Sequence, residues 1–176
     1  MKLTSAACVV LMFCAPTFAL AQTPTQTPNQ ELKKQDFFVG SWRLDGVTTK
    51  SPFGGGGVKF SSSEDLEWMP GGFFLLARSY SDGKLAGVTI IGYDAEQKVF
   101  THASYNSNGE KELWTGTAES DRWIWTRHRQ LAGKSVDERL NIKKTSPTSY
   151  SFSVEMKPTD SNSWSTVAEG VGTKEK

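Results

Sequence analysis

Residues 99–119 read VFTHASYNSNGEKELWTGTAE, two alternating runs on either side of Asn108-Gly109. Alternation with a period of two is the pattern of a strand with one face turned inward, and Asn-Gly suits the tight turn of a hairpin. The same unit recurs outward in both directions. From Phe37 to Lys174 the chain repeats eight to twelve residues of strand-type sequence followed by a Gly, Asn, Asp or Pro turn. Ten strands follow, over residues 42–50, 58–69, 73–81, 84–93, 99–107, 110–119, 122–131, 135–145, 149–157 and 164–173. Pro70-Gly71-Gly72, Ser81-Asp82-Gly83, Ala132-Gly133-Lys134 and Ser146-Pro147-Thr148 supply further turns. Antiparallel strands without long helices must hide their edges, most simply by closing. We therefore expect an all-β fold, an up-and-down antiparallel barrel of about ten strands.

The N-terminus is of another kind. Lys2, an apolar run through Val9, Val10, Leu11, Met12 and Phe13, and Ala19-Leu20-Ala21 make residues 1–21 a secretory signal peptide cut before Gln22. The run is too short for a membrane span, and neither Cys8 nor Cys14 has the context of a lipid-modified cysteine. Both cysteines leave with that segment, so the exported chain has no thiol for a disulfide, a metal or catalysis. Lys2 leaves too, which takes the 20 basic and 19 acidic residues to 19 of each. A neutral chain offers nothing to nucleic acid or to an anionic membrane surface. The Thr/Pro/Gln-rich start places a disordered linker at residues 22–35 and the barrel domain at 36–176. One or two helical turns within residues 31–38 are expected to plug a barrel mouth.

Alternation also sorts the faces. Tyr150, Phe152, Val154 and Met156 fall on one side of the ninth strand, which makes Phe152 and Met156 candidate lining residues. In the eighth strand Glu138 falls among Val136, Leu140 and Ile142 on the inward side. A lone buried carboxylate is costly unless paired or protonated, so Glu138 either meets an interior cation, holds a polar ligand group, or acts as a base; a bulge turning it outward is the alternative. Arg78 and Tyr80 share a face with Phe74 and Leu76. They suit a carboxylate anchor if that face is inward, and an ordinary surface if it is not. His102 shares a face with Phe100 and Ser104, and His128 with Ile124 and Thr126; two such histidines make no metal site. Three further segments are apolar on both faces, around residues 73–77, 88–91 and 123–125, so their inward sides are undetermined. The Gly54-Gly55-Gly56-Gly57 loop lacks the Lys and Ser/Thr of a phosphate loop, Arg127-His128-Arg129 is too short for a nucleic-acid patch, and no hydrolase or zinc-protease motif is present.

Phe38-Val39-Gly40-Ser41-Trp42, the stretch from Glu67 through Pro70-Gly71-Gly72 to Phe73, Ile91-Gly92-Tyr93-Asp94 and Trp114-Thr115-Gly116 resemble a family of bacterial secreted proteins known as domain of unknown function 1579. More distantly, a first strand with Gly40 and Trp42 is similar to the calycins: lipocalins, fatty-acid-binding proteins and haem-binding nitrobindins. The resemblance implies that Gly40 lets the chain approach closely while Trp42 caps the barrel floor. It also suggests that Arg78 and Tyr80 act like the fatty-acid anchor of such barrels, and that a histidine would be the axial ligand if haem were bound; we expect no haem. The leading expectation is an exported, non-catalytic barrel for a small apolar or amphiphilic molecule. Two alternatives stand beside it: an isomerase- or hydrolase-type enzyme using Glu138 with a histidine or Tyr80, and a filled barrel whose outer apolar strands bind a partner or a second copy as a homodimer.

Overall fold

The computed structural model describes residues 26–176. The proposed secretory segment, residues 1–21, and its cleavage site lie outside them. A 3-10 helix, Gln30–Phe38, is followed by ten strands: β1 Gly40–Thr48, β2 Lys59–Trp68, β3 Leu75–Ser81, β4 Lys84–Asp94, β5 Val99–Asn106, β6 Lys111–Glu119, β7 Arg122–Leu131, β8 Lys134–Ser146, β9 Ser149–Pro158 and β10 Ser165–Lys174. Every strand boundary read from the sequence falls within two residues of the observed one. Each strand pairs antiparallel with the next, and β1 pairs with both β2 and β10, so the sheet closes into a barrel.

The turns follow backbone chemistry. Asp82-Gly83 (φ 50° and 71°) and Ala132-Gly133 (φ 49° and 77°) place two left-handed residues in a row, the geometry that matches the twist of a hairpin. Asn108-Gly109 differs from the expected two-residue form. Only Gly109 is left-handed (φ 87°), its N–H bonds Asn106 O at 2.9 Å, and Asn106 N–H bonds Glu110 O, which makes a three-residue loop. Gly71 and Gly72 (φ 94° and 72°) turn the chain between β2 and β3.

The helix corrects the expected domain boundary. Gln30–Gln35 was placed in the linker on composition, but the helix begins at Gln30, Asn29 caps it by accepting from Glu31 N–H at 2.9 Å, and Leu32 and Gln35 are buried. Burial against the barrel mouth outweighs the polar composition of this segment. The helix closes what we call the lower end. There Phe37 stacks on Trp123 (5.6 Å between centroids), Phe38 meets Trp123 edge-on (4.8 Å), and Trp42 packs on Tyr150 (5.0 Å). Trp42 is fully buried and its Nε1–H donates to Phe38 O at 2.7 Å, tying the first strand to the plug. Gly40 (φ 114°) has the left-handed conformation that a side chain resists, and Lys174 passes where its Cβ would stand.

Glycine also shapes the interior walls. A Cβ on Gly172 would stand 2.2 Å from the Tyr150 ring, and one on Gly116 would stand 2.5 Å from the Trp125 indole. These two positions let large rings lie flat against the opposite strand and leave space at the centre.

Candidate functional site

Three layers fill the barrel. The lowest is the aromatic plug already described. The uppermost is ionic. Glu138, 4% exposed, receives Arg127 Nε at 2.7 Å and lies 2.9 Å from Arg129 Nε, while Arg127 also reaches Glu112 at 3.1 Å and lies over the Trp114 ring at 4.2 Å. Trp114 Nε1–H donates to Glu112 at 3.1 Å. The layer spans a local opening of the wall: β6 and β7 pair only from Thr115/Thr126 down to Glu119/Arg122, and side chains bridge the strands above. Two guanidinium groups and two carboxylates balance, which is the condition under which buried charge is tolerated. Met156, buried, stands directly opposite Glu138 on β9.

Between these layers lies a cavity of about 130 Å³, walled by Phe38, Leu66, Ala77, Ile91, Trp125 and Tyr150 among others, with Gln35, Glu64, Thr89 and His102 as its polar contributors. Gln35 points up from the helix. It is 0% exposed and neither its Nε2 nor its Oε1 has a hydrogen-bond partner. Glu64 comes from β2, opposite Ser79, whose hydroxyl donates to it at 3.0 Å. Burial raises the Glu64 carboxyl above its ordinary pKa, and the Ser79 bond offsets part of this. His102 Nε2 lies 2.7 Å from Ser104 Oγ, which lies 2.6 Å from Thr89 Oγ1, a chain of three across β5 and β4. Trp125 meets the imidazole edge-on at 5.3 Å. Glu64 and His102 are both half-buried and both line the cavity.

Burial lowers the His102 pKa from 6.5 to about 4; Glu112 raises it and Arg127 lowers it further. The folded value lies below the unfolded one, so the unfolded chain takes the proton first. The stability contributed by the neutral ring is complete above about pH 6.5 and is lost as pH falls through 4. The full difference is about 3 kcal/mol. Urea titrations at stepped pH check this: the fall in stability between pH 6.5 and 4 should be about 3 kcal/mol steeper in the parent than in His102→Gln. Parallel curves would place the imidazole in water.

The sequence-derived residues separate into four groups. His102 and Phe152 line the cavity, whereas Glu138 and Met156 belong to the layer above it. Trp42, Gly40, Gly71 and Gly72 hold the architecture. Arg78 and Tyr80 are a correction. The inward residues of β3 are Leu75, Ala77 and Ser79, so Arg78 and Tyr80 face outward, and Arg78 pairs with Glu67 at 2.7 Å on the surface. The parity of β3 is set by burial of Leu75 and Ala77, which are 0% and 4% exposed, against Leu66 and Ile91. The acid–base pairing of Glu138 with Tyr80 or a histidine is likewise not assembled. Glu138 is engaged by arginines, Tyr80 is outside, His128 is on the outer face bonded to Asp137 at 3.0 Å, and His102 bonds Ser104 instead.

Glu64 and Gln35 escaped the sequence reading. Glu64 had the same signal as Glu138, since Phe60, Leu66 and Trp68 share its parity, but the run Ser61-Ser62-Ser63 dilutes the apolar face. Gln35 had none.

Outside the barrel, Leu76, Ile90, Ala103 and Leu113 stand in one cross-strand row over β3–β6, flanked by exposed Phe74 and Tyr105. Among the described residues no helix is long and apolar enough to cross a membrane, and no three His, Cys, Asp or Glu side chains converge on a metal-sized site. No protein-family model matches this chain, and no curated protein matches it.

Proposed function

We propose that this protein is an exported, non-catalytic, calycin-like barrel that holds one compact, partly polar molecule in its central cavity. The observation that carries this reading is Gln35. A fully buried amide with neither atom partnered costs about 1–3 kcal/mol per group, and a leucine would pack the same mouth without that cost. Retaining the amide is accounted for if both atoms serve an occupant. The apolar walls beside a few polar groups fit the general form of a ligand site.

The size of the cavity restricts the ligand. About 130 Å³ is comparable to the roughly 150 Å³ engineered cavity that admits benzene, and lies well below the roughly 300–1,000 Å³ of sites for larger molecules. A long-chain fatty acid or a porphyrin does not fit in it. With Arg78 on the outside as well, the expected fatty-acid anchor loses both its cation and its room.

Benzene-sized ring compounds should bind saturably and quench the fluorescence of Trp125, which forms part of the wall. Ala77→Leu places three more carbons into the cavity from β3 and should abolish binding while the barrel keeps its fold and melting behaviour. Absence of saturable binding across such compounds, or undiminished binding by Ala77→Leu, overturns the reading.

A further inference from the structure

The charge inventory of the cavity identifies the class of molecule, on the basis of the binding reading above. Among the described residues Glu64 is the one carboxylate that lines the cavity, and no lysine or arginine lines it. The nearby interior guanidinium groups are already committed: Arg127 and Arg129 to Glu138, and Arg127 to Glu112 as well. Among the described residues no cation pairs with Glu64, whose recorded partner is a neutral hydroxyl. On the same cavity wall the Gln35 amide oxygen accepts nothing among the described residues. Around these two acceptors stand the rings of Phe38, Trp125, Tyr150 and Phe152.

We propose that the cavity selects a compact organic amine in its ammonium form, which donates to Glu64 and to the Gln35 carbonyl oxygen and lays its apolar body against the surrounding rings. The physical case has two sides. An ammonium group supplies what each acceptor lacks, through charge-assisted hydrogen bonds, and aromatic faces attract a cation most strongly where water is excluded. A carboxylate would instead lie beside Glu64 with no free cation within the cavity to offset it. The raised pKa of Glu64 agrees with this, since a buried carboxyl awaiting a counter-charge holds its proton more readily. The preference for an anionic amphiphile that Arg78 suggested from the sequence is thereby reversed.

Three probes of similar size test it by titration calorimetry against the full folded protein: piperidinium chloride, benzene and sodium pivalate. The expected order is piperidinium at least about tenfold tighter than benzene, with pivalate not binding. Glu64→Gln should remove that tenfold advantage of piperidinium over benzene, and its thermal melt, expected at or above that of the parent, verifies that the variant is folded. Should benzene bind while piperidinium gains no advantage, or should the advantage survive in Glu64→Gln, the amine assignment is overturned and the cavity reading stands. If none of the three binds, both fall together.

Discussion

Trp42→Ala is expected to lower the stability of the barrel by about 3–5 kcal/mol, the usual cost of truncating a large buried aromatic. The indole is 0% exposed and packs against Phe37 at 5.1 Å and Tyr150 at 5.0 Å. Its removal also leaves the Phe38 carbonyl without its donor, at the point where the helical plug joins β1. For a single domain with about 5–15 kcal/mol of net stability, such a loss brings unfolding within reach of modest heating. Chemical denaturation followed by far-ultraviolet circular dichroism measures it, and a loss below about 1 kcal/mol contradicts the packing described. Trp42→Phe should cost less, because it retains a ring but still leaves that carbonyl unpaired.

The second large effect is expected at Glu138. Substitution by alanine removes the acceptor shared by Arg127 and Arg129, whose side chains are 10% and 30% exposed, and leaves buried positive charge held only by Glu112. Breaking one side of a buried ion pair typically costs about 3–5 kcal/mol, much of it the penalty on the stranded partner. Replacing both Arg127 and Glu138 by methionine and leucine should therefore recover much of the loss, and a double-mutant cycle in urea reads the coupling directly. A loss of stability in Glu138→Ala no greater than that of a surface substitution would show that the network carries no load. Because Glu138 sits above the cavity and is held by two arginines, its substitution should act on stability and leave the affinity of the cavity for benzene-sized probes unchanged. This separates a structural carboxylate from Glu64, whose substitution is expected to remove the preference for an amine while the melt stays at or above that of the parent.

The two carboxylates show where sequence reasoning stops. Both lie at an inward parity on their strands, and both are costly to bury alone. Glu138 was visible because Val136, Leu140 and Ile142 mark its face unambiguously. Its fate was not visible, since Arg127 and Arg129 come from the neighbouring strand, and their inward parity follows from burial of Trp123 and Trp125, a segment apolar on both sides. Ile124 between them is 42% exposed, so hydrophobicity alone could not have chosen. The same ambiguity hid the orientation of β3. Phe74 at 46% exposure and Leu75 at 0% are equally apolar neighbours, and choosing the wrong one places Arg78 inside.

What the sequence determined by itself is local. The period of two and the turn residues fixed ten strands to within two residues and the hairpin order, because backbone dihedrals and turn geometry depend on side chains only a few positions apart. The register at which β1 meets β10, the pairing of Glu138 with arginines, and the meeting of Gln35 and Glu64 in one cavity join residues up to a whole barrel apart in sequence. Those were decided by tertiary structure alone, because what a buried polar group meets depends on which strands and which plug close around it, and no local pattern encodes that.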